Sequence, residues 1–244
     1  MDRLKSAYRF GLVNPHLSLS FLLFSAGAAI AFTSLPTLAG ALIGGGASLL
    51  GAWISDLNSK KQKIEEKKLQ ESAAKNYARP ELYRSIENLI RIHSRALVNT
   101  GIWADVEINK RPGLITDVGD KQVDFFPILP VLYPNFENLK HIPSSELYAL
   151  VRYYDSLYEL EKFVKNWWER EGQQNYNIYN VILQNAHRSL ELALECINIF
   201  ELDKFIPPRY SGWKPLKFRI EQENNSHTAT MERISKMRYS QRGL

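Results

Sequence analysis

The N-terminal part of the chain is apolar and uncharged. No Asp, Glu, Lys or Arg occurs between Arg9 and Asp56. A helix that crosses a bilayer needs roughly 20 apolar residues, with a range of about 17 to 25. Residues 17–33 and 37–54 each reach the lower end of that range, and Pro36 between them fits the first turn of a second helix. The pattern predicts a hairpin of two transmembrane helices; one long kinked helix is the alternative.

Helical spacing of apolar residues continues after a polar stretch. Residues 56–79 are highly charged and predict a solvated juxtamembrane extension of the second span. A new apolar face follows, and we expect Gly101 to end its helix. The residues on this face are Leu82, Ile86, Leu89, Ile90, His93 and Leu97.

Two further helices are predicted in the C-terminal half. One begins at Ser144 or Ser145 and ends at Gly172. The other carries apolar residues from Ile178 to Phe200 and stops before a pair of prolines. These two helices are expected to pair as an antiparallel hairpin against the preceding helix and to form a small helical bundle.

The segments between and after these helices lack a clear period. Residues 102–142 contain several prolines and predict a long loop, in which a short strand pair around Val106 to Ile108 and Gln122 to Phe125 is an open alternative. Residues 209–244 are basic and poor in apolar residues, which predicts a disordered tail. The expected fold class is mainly α. The predicted organisation is a flank, a transmembrane hairpin, a juxtamembrane helix, a bundle domain and a tail, over 1–16, 17–55, 56–79, 80–208 and 209–244.

The glycine-rich stretch around residue 45 is not a phosphate loop. Ala52 and Trp53 stand where that motif needs Lys and Ser/Thr after Gly51. Small residues four apart instead let another helix approach closely inside a membrane, either the other span or a second copy. The residues predicted for this packing are Gly27, Ala31, Gly40, Gly44, Ala47, Ser48 and Gly51.

Charge sets the expected orientation. The net charge is +5, and basic residues flank the uncharged segment on both sides, as Arg3 and Lys5 before it and Lys60 and Lys61 after it. The positive-inside rule therefore predicts that both termini are cytoplasmic and that the protein is multi-pass. A cleaved secretory signal ending near Ala31 is the alternative.

Residues that carry chemistry are sparse. A carboxylate metal site in a helical bundle needs Glu-x-x-His pairs, and the sequence has none. His187 and Glu191 are one helical turn apart and fit an ion pair, and His93 lies on an apolar face. Cys196 has apolar neighbours and fits a buried side chain better than a reactive thiol. We therefore expect no enzyme activity, no catalytic residue, no cofactor and no metal.

Residues 128–170 resemble a pattern found in uncharacterised bacterial membrane-anchored helical proteins. The residues that match it are Tyr133, Asn138 or Asn135, Pro143, Val151, Tyr153 and Tyr154. The chain departs from that pattern because it lacks a Gly-Leu-Leu run before the proline. The resemblance implies a location in the bacterial inner membrane and implies no activity.

The sequence favours a membrane-anchored cytoplasmic helical module that binds a protein partner or senses a signal. The residues expected at its interaction surface are Tyr133, Asn138, Tyr153, Tyr154 and Trp168. Membrane lipid and a protein partner or a second copy are the expected partners. Nucleic acid is not expected, because no recognition motif accompanies the basic residues. The alternative is a self-assembling membrane effector or channel-like protein that acts through the small-residue hairpin.

Overall fold

The computed structural model describes residues 15–32, 35–109, 120–131, 137, 139–172 and 174–242. It confirms a mainly helical protein and contains five α-helices, with no strand among these residues. The helices are α1 (Pro15–Ala31), α2 (Pro36–Ile108), α3 (Ser144–Glu171), α4 (Tyr176–Ile199) and α5 (Leu216–Arg242). Two 3₁₀ turns cover Gln122–Phe125 and Pro208–Tyr210. The chain divides into two compact units, residues 1–69 and 70–244.

In the first unit, α1 packs against the start of α2 through two glycines. A Cβ on Gly27 would lie 2.8 Å from Ile43 Cγ1, and one on Gly46 would lie 3.1 Å from the ring of Phe24. Phe24, the earlier residue in α1, thus faces Gly46, the later residue in α2, and Gly27 faces the earlier Ile43. The two segments therefore run antiparallel, and the absence of a side chain at both glycines permits the close approach.

The structure describes α2 as one helix where the sequence predicts two, the second span with its extension over 37–79 and a helix from Leu82 to Gly101. It passes through Pro80 without ending, although a proline inside a helix costs about 3 kcal/mol. Ala78 and Leu82, on either side of the proline, are both fully buried in the same core. Packing of both flanking turns holds the helix together across the missing hydrogen bond.

The expected helix end at Gly101 is also wrong, because α2 continues to Ile108. A Cβ on Gly101 would lie 2.9 Å from the Arg233 side chain on α5. The absence of a side chain at Gly101 therefore allows α5 to lie close to α2. Since Ile108 belongs to α2, the strand alternative for this region is wrong, and Gln122–Phe125 is a 3₁₀ turn.

One hydrophobic core joins four helices of the second unit. The predicted apolar face of α2 is buried, and it packs with residues of α3, α4 and the first turns of α5. Members of this core include Leu89, Leu157, Val164, Ile182, Leu190, Leu216 and Ile220. Phe125 from the predicted loop over 102–142 is also fully buried, so the described part of that loop packs on the core.

The break between α3 and α4 falls where the sequence predicts. Gly172 adopts a left-handed conformation with φ 66° and its N–H donates to Trp168 O, which ends α3. The Asn175 side chain accepts a hydrogen bond from Ile178 N at 3.0 Å and so caps the start of α4. Gly172 is thus confirmed as the breaker between the two helices.

The predicted disordered tail is wrong, because residues 216–242 form α5. Leu216 and Ile220 are fully buried in the main core, and Ile234 packs in a second cluster at the far ends of α2 and α5. Arg219 also donates to Glu87 of α2, which is 7% exposed. The average composition of the segment is polar, and the few apolar residues that hold it are widely spaced.

We expect Ile220→Ala to lower the free energy of unfolding by about 2 to 5 kcal/mol, because it opens a cavity where α5 meets the core. Ile206→Ala is the matched control, since Ile206 is 39% exposed. The measurement is urea unfolding of the detergent-solubilised chain, together with tryptic cleavage within α5. Equal behaviour of the two variants would mean that α5 does not dock.

Candidate functional site

Three helices of the second unit each bring one histidine to a common point. His93 lies on α2, His187 on α4 and His227 on α5. One ring nitrogen from each lies within 4.8 Å of the others. His93 is 0% exposed and His227 is 9% exposed, whereas His187 is half-buried. The cluster therefore forms only where all three helices pack.

Apolar packing on each helix brings the three imidazoles together. On α2, Ile90 and Leu97 flank His93 and are buried. On α4, Ala186 and Leu190 are fully buried beside His187. On α5, His227 comes seven residues after Ile220 and seven before Ile234, two buried residues that place this face against the rest of the unit. The histidines are thus polar positions within apolar stripes.

The hydrogen bonds of His93 define its tautomer. Its Nδ1 lies 3.0 Å from Glu223 Oε2, and a carboxylate only accepts hydrogen bonds, so Nδ1–H is the donor. In the neutral ring Nε2 then carries a lone pair, and this atom lies 3.3 Å from His227 Nδ1. The rings of His187 and His227 also lie close, with centroids 4.3 Å apart. The lone pair of His93 thus points towards the other two rings.

The two ring nitrogens of His187 have different surroundings. Its Nε2 lies 3.7 Å from Glu191 Oε1, as the one-turn spacing predicts. Its Nδ1 is buried and has no hydrogen-bond partner among the described residues. A buried polar atom without a hydrogen-bond partner costs about 1 to 3 kcal/mol of folding free energy, so the environment of this nitrogen is unfavourable.

Burial and the neighbouring imidazoles lower the pKa of two of the three rings, those of His187 and His227. Burial, together with the nearby His187 and His93, lowers the pKa of His227 to about 4. Burial and then His93 lower the pKa of His187, and Glu191 opposes this effect in part. Both imidazoles are therefore uncharged near neutral pH. Neutral imidazole is the form that binds metal ions.

Two open clefts are lined by Glu223, the carboxylate next to His93, and by none of the three histidines. Their volumes are about 990 Å³ and about 950 Å³, and Glu223 lines both. The first cleft also carries five arginines and two aromatic residues, namely Arg84, Arg91, Arg95, Arg209, Arg219, Tyr210 and Trp213. Arg219 is paired with Glu87 and Arg95 with Asp120, so part of this charge is balanced within the cleft.

The residues predicted for an interaction surface fall into three groups. Tyr133 and Asn138 lie outside the described residues. The structure places Tyr153 and Tyr154 in the core rather than on a surface, with both 0% exposed. Trp168 is partly buried and packs edge-on against Tyr179. Thus Trp168 alone, among those that the structure describes, retains some exposed surface.

The two tyrosines are anchored by their hydroxyl groups. Tyr153 Oη lies 3.0 Å from Ser85 Oγ, and Tyr154 Oη donates to Glu81 Oε1 at 3.0 Å. Both bonds join α3 to α2. The aromatic pair that the sequence offers to a partner therefore has a structural role within the unit, because buried tyrosines need a hydrogen-bond acceptor or donor for the hydroxyl.

The residues predicted for membrane packing also separate into two groups. Gly27 lies in the contact between α1 and α2. A Cβ on Gly40, Gly44 or Gly51 would meet no described atom within 4 Å, and Ser48 donates only to Gly44 O of its own helix. Ala31 and Ala47 are exposed as well. Gly46, absent from the predicted set, makes the second close contact instead.

Sequence reasoning missed the histidine cluster because it treated His93 and His187 separately and assigned His227 to a disordered tail. The signal was present as the seven-residue spacing of Ile220, His227 and Ile234, which is typical of one helix face. Cys196 is buried, as expected, and burial raises its pKa to about 12, which favours the unreactive thiol.

No family model, no curated protein and no solved structure matches this chain. The resemblance of residues 128–170 to bacterial membrane-anchored proteins therefore stays a prediction. Any function has to be argued from the residues, the exposed surfaces and the histidine cluster.

Proposed function

We propose that this protein is a membrane-anchored helical interaction or sensing module with two membrane spans. The observation that carries the proposal is the composition of α2. This one helix is uncharged from Pro36 to Ser55, whereas its later turns supply the core of residues 70–244. A membrane anchor and a folded unit thus share a continuous helix.

The exposed side chains of the first unit support membrane insertion. Phe21 and Leu22 of α1 are 73% and 62% exposed, and Leu38 and Ile54 of α2 are exposed by about half. By length and composition, α2 is able to cross a membrane, and α1 has 17 residues, the lower end of the range for a span. In water, such surfaces would favour aggregation, whereas lipid solvates them.

The charges on either side of this apolar region favour cytoplasmic ends. Lys60, Lys61, Lys63, Lys67 and Lys68 follow the uncharged segment, and Arg3, Lys5 and Arg9 precede it. The short connection near Leu35 carries no charge. By the positive-inside rule, this connection faces the opposite side of the membrane.

The arginine-lined cleft supports binding of a protein partner by the second unit. Arginine, tyrosine and tryptophan are the residues enriched at binding hot spots, and Arg209, Tyr210 and Trp213 line this cleft together. Trp213 is 48% exposed, so it retains surface for a contact. A partner with acidic and apolar groups fits this combination.

A second candidate function is a self-assembling membrane effector. The observation that favours it is the small-residue face of α2, where Gly40, Gly44 and Gly51 have no neighbour among the described residues. Faces of this kind let helices from several copies approach closely in a membrane. The face would then join copies instead of the two spans of one chain.

Cysteine labelling tests the proposed two-span topology. Leu35→Cys, in a Cys196→Ser background, is expected to react with a membrane-impermeant maleimide added to intact bacterial cells, because Leu35 connects the two spans and is 56% exposed. Lys61→Cys in the same background is the control and should react only after lysis. Labelling of both in intact cells, or of neither until lysis, would contradict the topology.

A pair of glycine substitutions separates the two candidate functions. Under the effector hypothesis, Gly44→Leu should abolish dye release from lipid vesicles, because it blocks the small-residue face. Under the favoured function, wild-type and Gly44→Leu chains release equally little dye, and crosslinks to a protein partner persist. Gly27→Leu is the comparison variant: it should disturb the α1–α2 contact, since its Cβ would clash with Ile43.

A further inference from the structure

We propose that His93, His187 and His227 form a binding site for one divalent transition-metal ion, and that zinc is the ion it binds in the cell. The proposal concerns the second unit alone and does not depend on how the chain sits in a membrane. It rests on three features of the cluster: the spacing of the ring nitrogens, the carboxylates behind the rings, and the bare nitrogen of His187.

The spacing of the nitrogens fits metal coordination. Two ligands in a tetrahedral zinc site, each about 2.0 to 2.1 Å from the ion, lie about 3.3 to 3.4 Å apart. His93 Nε2 and His227 Nδ1 are 3.3 Å apart. This distance is long for a hydrogen bond that involves an N–H donor, for which about 2.7 to 3.2 Å is usual. The third histidine lies within 4.8 Å of both, so a small side-chain movement completes the set.

The carboxylates provide the support that metal-binding histidines have. A ligating histidine usually donates its other ring N–H to a carboxylate or a carbonyl, which fixes the tautomer and raises the basicity of the ligand nitrogen. Glu223 accepts from His93 Nδ1 and leaves Nε2 directed at the cluster. Glu191 Oε1 lies 3.7 Å from His187 Nε2, on the same side of that ring but beyond hydrogen-bond distance. Two of the three histidines therefore have a carboxylate behind the ring.

The bare nitrogen of His187 identifies its ligand atom. With Nε2 next to Glu191, the Nδ1 atom remains, and it is buried without a hydrogen-bond partner among the described residues. A metal ion would satisfy this atom. The geometry therefore points to His93 Nε2, His187 Nδ1 and His227 Nδ1 as the three ligands.

The ligand set favours zinc. Imidazole suits zinc, copper, nickel and iron, whereas magnesium and calcium prefer oxygen ligands. Three histidines with one open position are a known zinc coordination, in which water takes the fourth place. His187 is half-buried, so the cluster is not sealed from solvent on the side of this ring.

Metal binding would also hold α5 against the rest of the second unit. The three ligands come from α2, α4 and α5, so metal binding links the last helix of the chain to the rest of the second unit. Because the site exists only when α5 is docked, the free energy of binding stabilises the docked state. The competing interpretation is a cluster of hydrogen-bonded, stacked histidines that binds no ion.

The test uses the full-length chain in detergent, purified with a tag free of histidine, stripped with a chelator and titrated with zinc. Calorimetry and elemental analysis should give one zinc per chain, and zinc should raise the thermal midpoint. His187→Gln and His227→Gln should each lose this binding, whereas His141→Gln, an exposed histidine outside the cluster, should retain it. Circular dichroism of each variant checks that it is folded.

A second pair of variants tests the carboxylate behind His93. Glu223→Gln should weaken zinc affinity about 10- to 100-fold. Glu221→Gln, an exposed position on the same helix, should leave affinity unchanged. Cobalt in place of zinc should give the strong visible absorption of a four-coordinate site. Absence of zinc in the wild-type chain, or equal binding by the His187→Gln, His227→Gln and His141→Gln variants, would overturn the proposal.

Discussion

The burial of one face of α2 is the constraint on which the second unit depends. Between Ala74 and Ile108 this face packs with residues of α3, α4 and α5. Pro80 and Gly101 persist inside it because tertiary packing outweighs their local cost. Before Ser55, the same helix has apolar side chains on its outside and no charge, which suits lipid rather than water.

The last helix depends on a small number of contacts. Most of α5 is polar, and it is held by Leu216 and Ile220 at its start, by Ile234 near its end and by an ion pair from Arg219. Between these anchors, the contact with α2 is polar and includes His93, Glu223 and His227. A ligand that binds there acts on a helix that few buried apolar residues hold, and it therefore stabilises the docked state of that helix.

Helices with a strong period and clear stop signals could be predicted from the sequence. The apolar face from Leu82 to Leu97 is buried, and α3 ends at Gly172, because burial and a left-handed glycine are local determinants. The continuity of α2 could not be predicted, since Gly101 ends or continues a helix according to what packs on it. The histidine site could not be predicted either: it requires three helices distant in sequence, and the composition of α5 hides its buried positions.

The most direct test of the histidine site is nitrogen-15 NMR of the histidine side chains in the full-length protein. The chain has five histidines, and they are His16, His93, His141, His187 and His227. On addition of one equivalent of zinc to the metal-free protein, the ring nitrogens of the three cluster histidines should shift, whereas those of His16 and His141 should not. Unchanged spectra, or the same weak broadening at all five histidines, would contradict a metal site.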